Sequence, residues 1–261
     1  MYGTNPFAEL SASVSPEIMQ IYVIVMVVFV VAGTLFDIWH KKSAKYFFQN
    51  WRNANAAGDR QVGGGEMAGL AVQTAVVEVA TSGEFCTVKR RVAHLLTMYG
   101  FIAYAISTAI MVFSYPTPAT ETPNILPTLW ALGALMVCVG GYWFWFFIRV
   151  DVSAEGNSPF RFVRADLFVV SLVLSTTLAL VWAYSQSIGG AWTNVFLGLY
   201  LIASTVLFGG VPFSKFSHMF FKPAAALQKR VENANGSRSN LPTLSDKPAT
   251  LGSARRAPNH Y

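Results

Sequence analysis

Four histidines and two cysteines are the residues of this 261-residue chain best suited to hold a redox metal. His40 and His218 each follow a long apolar run and His94 stands at the start of one; His260 is the last residue but one. Neutral imidazoles from two facing helices can fill both axial positions of a haem iron, with nearby cations pairing its propionates. His94 follows Lys89, Arg90 and Arg91, and His218 lies between Lys215 and Lys222. That pattern makes His94 and His218 candidate iron ligands and Lys89, Arg90, Arg91 and Lys215 candidate propionate partners. The same pattern also suits interfacial histidines that meet lipid headgroups. His40, set between Trp39 and Lys41, reads first as a flanking residue and second as an alternative ligand or proton relay. Cys86 and Cys138 are too far apart for a CxxC site and too few for an iron–sulfur cluster, so any cluster belongs to a partner.

Carboxylates inside a membrane are costly and therefore informative. Only Asp37 and Asp166 qualify, both at the basic ends of apolar runs, where Asp37 is expected to pair with a nearby lysine and Asp166 with Arg164 or Arg161. The run centres hold no Asp, Glu, Lys or Arg, which argues against an ion pump or a proton-coupled transporter.

The elements that must position these groups are membrane helices. Hydrophobic residues make up 53% of the chain and charged residues 12%, about half the usual charge of a soluble domain, and the mean hydropathy is +0.42. The expected fold is all-α: a polytopic membrane protein with a five-transmembrane-helix bundle. The spans run over 18–39, 92–115, 125–148, 167–184 and 195–211, the fifth carried past Pro212 as a kink. The first lacks the basic flank and cleavage site of a signal peptide and reads as a retained helix. The 19 Lys and Arg residues fall between spans one and two, between three and four, or after five; the N-terminus and the connections 116–124 and 185–194 have none. The positive-inside rule therefore places the N-terminus outside and the C-terminus in the cytoplasm. Residues 1–17 form an extracytoplasmic N-terminus, 18–222 the membrane domain with a cytoplasmic loop at 40–91, and 223–261 a tail expected to be disordered. Within the loop, Gly63–Gly64–Gly65 is a hinge before an apolar stretch, 66–79, suited to an interfacial or partner-binding helix or one lying against the bundle. The net charge of +6 is read as topology and not as nucleic-acid binding.

The strings around the two histidines carry a resemblance. Lys89–Arg90–Arg91–Val92–Ala93–His94–Leu95–Leu96–Thr97–Met98–Tyr99–Gly100–Phe101, preceded by Ser82–Gly83–Glu84–Phe85–Cys86, and Val211–Pro212–Phe213–Ser214–Lys215–Phe216–Ser217–His218–Met219 resemble membrane b-type cytochrome subunits related to the nitrate reductase gamma subunit. The similarity runs over residues 15–230. It is strongest to the sulfur-metabolism branch: the membrane anchor of adenylylsulfate reductase and the quinone-interacting and sulfite reductase-linked membrane subunits. It implies that His94 and His218 ligate one haem b near the cytoplasmic face of a prokaryotic inner membrane. It also implies a soluble cytoplasmic iron–sulfur or flavin enzyme as partner and a quinone as diffusible redox partner; with the quinone near the haem at the inner interface, Trp39, Tyr46 and Trp51 are suggested as its lining. Two-haem relatives carry a second histidine farther along each helix; here Tyr104 and Tyr200 stand at those positions and read as packing residues. The fused iron–sulfur domain of some members is lacking, which favours a separate partner. A haem-free anchor that only docks the enzyme is the competing expectation, and a small transporter the weakest.

Overall fold

The computed structural model describes residues 3–83, 85, 87–149, 162, 166–214, 218–237 and 239–241. All regular structure among them is helical. The chain divides into two compact units, one of Met1–Asp37 with Val88–Phe216 and the other of Ile38–Thr87 with Ser217–Tyr261.

The first unit begins with α1 (Pro6–Leu10), capped by the Asn5 side chain, which accepts from the amides of Phe7 and Ala8 at 3.0 and 3.3 Å. Proline at the first helical position loses nothing by lacking an amide hydrogen. Then come α2 (Pro16–His40), α5 (Val88–Ser114), α6 (Ile125–Trp143, continued by a π-helical turn, Phe144–Ile148), α7 (Leu167–Ser187) and α8 (Thr193–Gly209). Four of these are long and apolar enough to cross a membrane: α2, α5, α6 with its extension, and α7. The chain is thus built as a multi-pass membrane protein, and Ile18, Ile21, Val28, Val31 and Leu35 of α2 are exposed apolar residues suited to lipid. The 17 residues of α8 make it shorter, about 25 Å at ~1.5 Å per residue against a hydrocarbon core of about 30 Å.

With lipid on the outside, helices associate through close fit more than through hydrophobic burial. Helices α5 and α6 show this at Gly100 and Gly133, where a Cβ on either would come within 2.7 or 2.6 Å of the other's carbonyl oxygen. The Tyr22 hydroxyl of α2 donates to the Leu201 carbonyl of α8 at 2.9 Å, and Gln20 donates to the Val112 carbonyl of α5 at 3.2 Å. At one end of the bundle Asn5 donates to the Tyr115 carbonyl and to Thr122, and Gln186 donates to the Pro6 carbonyl. The chain's first ordered turn and the connections after α5 and α7 therefore share that end.

Helix α8 does not continue through Pro212 as a kink. It ends at Gly209, and Val211–Phe213 form a single 3-10 turn. Glycines 209 and 210 favour a stop, proline lacks the amide needed to continue, and its ring is held against α2, where a Cβ on Gly33 would come within 2.9 Å of Pro212 Cδ.

The second unit holds α3 (Ser43–Ala56), α4 (Gly64–Thr74, continued by a π-helical turn, Ala75–Ala80) and α9 (His218–Asn235). Gly63 stands at the N-cap position of α4 and Gly64 and Gly65 are already helical, where a hinge ahead of the helix was expected. Phe47 packs against Trp51 and Phe221, and Arg230 pairs with Glu78 at 2.9 Å. Residues 223–235, expected within a disordered tail, are helical: the fully buried Glu232 accepts from Gln228 and from both the backbone and side-chain amides of Asn240, folding the chain back over the helix. The rest of the expected tail, from 242 on, lies outside the described residues.

Candidate functional site

Helix α5 carries the first candidate ligand. Lys89, Arg90 and Arg91 occupy its opening turn, Lys89 exposed and the two arginines half-buried, and His94 follows in the next turn as an exposed side chain. Its neighbour Ala93 is 2% exposed and faces α6, where a Cβ on Gly140 would come within 2.7 Å of the Ala93 carbonyl. Seven residues on from His94, and so nearly in line with it along the helix, Phe101 meets Phe208 of α8 with ring centroids 6.5 Å apart. The face of α5 that bears His94 is thus the one turned toward the end of α8.

An imidazole in that position, beside three cations, has the donor chemistry of one axial haem ligand with propionate partners. His218 is the first residue of α9, in the other unit; its side chain and Lys215 lie outside the described residues. His40 closes α2 as an exposed residue of the second unit. Among the described residues no three His, Cys, Asp or Glu side chains converge as a metal site. The quinone-lining expectation does not come together on α3: Trp51 packs on Phe47 while Tyr46 is 59% exposed and lies about 140° around the helix from Trp51. Trp39 is exposed at the end of α2.

Asp166 pairs with Arg149; the expected partners Arg164 and Arg161 lie outside the described residues. Arg149 Nε donates to Asp166 Oδ1 at 3.0 Å and Nη2 to Oδ2, and the guanidinium sits 4.4 Å from the centre of the Trp145 ring. Asp166 immediately precedes α7 and Arg149 follows the π-helical extension of α6, so the pair closes a gap the sequence spans with 16 intervening residues. Asp37 is buried, at 3% exposure. Cys138 is buried with a free thiol, and Cys86 lies outside the described residues.

Farther along the bundle, Tyr104 and Tyr200 do pack, and they also join: their hydroxyls are 2.6 Å apart in a buried hydrogen bond. Tyr104 lies against Trp130 at 5.6 Å, Trp130 against Phe7 at 5.9 Å, Phe7 against Trp182 at 5.4 Å, and Trp182 stacks on Tyr200 at 5.8 Å. One ring each from α5, α6, α1, α7 and α8 closes a circuit, and none of the five side chains is more than 7% exposed. The hydrogen-bonded phenols and the indoles beside them fill this part of the bundle. The sequence marked the two tyrosines through their spacing from the histidines. It offered no signal for Phe7, Trp130 or Trp182, whose meeting depends on how five separate helices align.

In comparison with known proteins, the chain is 25% identical to citrate utilization protein B of Escherichia coli over 162 residues, which is 59% of this chain and 41% of that protein. The chain therefore spans about two fifths of the length of the curated relative it matches. No protein-family model matches it, and neither does any solved structure.

Proposed function

We propose that the protein is a membrane anchor and electron-transfer subunit that links a soluble cytoplasmic iron–sulfur or flavin redox enzyme to the quinone pool through one b-type haem held by His94 and His218. The observation that carries the reading is the placement of His94: an exposed imidazole on the α8-facing side of α5, directly after Lys89, Arg90 and Arg91. The resemblance of the two histidine strings assigns adenylylsulfate reductase, and so dissimilatory sulfur metabolism, as the partner. The relative's name points to citrate use; a 25% match over 41% of its length supplies no substrate here.

In this reading α8 is the fifth crossing, its shortness met by thinning of the bilayer or by flanking residues that reach the interface. The N-terminus lies outside and the C-terminus in the cytoplasm of a prokaryotic inner membrane. The bonds from Asn5 to Tyr115 and Thr122 and from Gln186 to Pro6 support that orientation, because they gather one end of the bundle from segments without a single Lys or Arg. When bound, the haem supplies one-electron transfer between quinone and the enzyme's centre. The protein's own residues set its ligation, neutralise its propionates and exclude water from its faces.

The test is a dithionite-reduced minus oxidised spectrum of detergent-purified protein made with haem available, with a pyridine haemochrome count. The expected result is about one haem b per chain, lost on His94→Ala or His218→Ala. Folded wild-type protein without haem would overturn the reading in favour of a haem-free docking anchor.

A further inference from the structure

Residues 38–58 contain Lys41, Lys42, Lys45 and Arg52 and no acidic side chain. They include all of α3, which begins at Ser43, three residues after α2 ends at His40. Three residues reach about 10 Å at most, and the headgroup layer beyond the hydrocarbon is itself about 5–7 Å deep on each side. Helix α3 therefore starts at headgroup level if α2 crosses the bilayer. Lys42, in the left-handed region at φ 52°, turns the chain between the two helices.

The two sides of α3 differ in kind. Phe47, Trp51 and Ala54 share its packed side, Ala54 at 1% exposure. On the opposite side Lys45 and Arg52 lie within about 20° of one another, flanked by Phe48 at 61% and Tyr46 at 59% exposure. A cationic ridge between two exposed aromatics suits a membrane interface, with the ammonium and guanidinium groups at phosphate depth and the rings among the upper acyl carbons. Lysines at the start of a helix also oppose its dipole, a cost that a headgroup phosphate removes. A soluble acidic partner would match the charge, but it would not explain two large rings beside the cations at this depth.

We propose that the outer face of α3 is a binding surface for anionic phospholipid headgroups, contacted by Lys42, Lys45 and Arg52 and anchored by Tyr46 and Phe48. The inference needs α2 to cross the membrane; it does not depend on haem.

The detergent-solubilised full chain, titrated with phosphatidylglycerol or phosphatidylcholine and read by native mass spectrometry, tests it. Wild type is expected to prefer phosphatidylglycerol, with binding that weakens as ammonium acetate rises tenfold. K42Q/K45Q/R52Q should lose affinity for it by about fivefold per charge, on the order of a hundredfold together, while K42R/K45R/R52K stays near wild type. No headgroup preference in wild type, salt-independent binding, or unchanged lipid affinity in the glutamine variant would each overturn the proposal. Loss of the partner enzyme with lipid affinity intact in that variant would assign the face to protein docking instead, and would likewise overturn it.

Discussion

The hydrogen bond between Tyr104 and Tyr200 is the one polar link in the five-ring circuit and joins two helices that begin 105 residues apart. Tyr104→Phe keeps the ring and removes one hydroxyl, leaving Tyr200 to find another acceptor in an apolar setting. The expected cost is about 0.6–1.7 kcal/mol, the range for side-chain hydrogen bonds between membrane helices, read as a lower midpoint of thermal unfolding in detergent. Arg149→Ala should cost more, about 1.5–3 kcal/mol, because it removes a two-pronged charged hydrogen bond from a carboxylate at 13% exposure; Asp166→Asn in the same background should recover part of the loss. At this scale the sequence was legible where chemistry and spacing agree. His94 could be singled out because cations precede it, and Tyr104 because it sits ten residues farther on. Arg149 as a partner of Asp166 left no signal in the sequence, because 16 residues separate the two and they come close only once α6 and α7 are paired.

Helices are where apolar length did most of the predicting. The bounds of α2, α5, α6 and α7 lie within four residues of the expected runs, since a stretch of about twenty apolar residues leaves the backbone little choice but helix. The end of α8 was misjudged, because proline inside an apolar run allows either a kink or a stop and only the contact with Gly33 decides between them. The α5–α6 crossing yields a sharp expectation. Gly100→Leu would drive a side chain into the Gly133 carbonyl and Met136, so the variant should unfold earlier by about 1–3 kcal/mol or fail to accumulate in membranes; Gly198→Leu, where nothing lies within 4 Å, should be tolerated. Helix α4 has a pH-dependent start. Arg60 holds Glu66 in a two-pronged bond at 2.8 and 2.6 Å, which lowers the Glu66 carboxyl below its ordinary range. A depressed folded value means the pair stabilises fully above the unfolded pKa and is lost as pH falls through the lowered one. Both groups are exposed, so the effect is small: amide exchange at the first turn of α4 should quicken below about pH 4, and Glu66→Gln should reproduce that at neutral pH.

Across the whole molecule, the two units use different means of cohesion. Residues 1–37 with 88–216 meet through glycine contacts, buried rings and short polar bonds, and residues 38–87 with 217–241 through the Phe47–Trp51 and Phe47–Phe221 ring contacts, the Arg230–Glu78 pair and the Glu232 clasp. Glu232→Ala should release Asn240 and speed proteolysis after Asn235 without altering the helices of the first unit. The five-ring circuit also fixes an order of events during synthesis. Phe7 precedes every helix it packs on, so it cannot settle between Trp130 and Trp182 until those helices exist, and the circuit cannot close until Tyr200 emerges 193 residues later. At about 5–20 residues per second that wait is about 10–40 seconds, during which α1 must be kept from binding elsewhere. Helix α1 thus waits for α6 and α7 before it can dock, and α8 closes the ring around it.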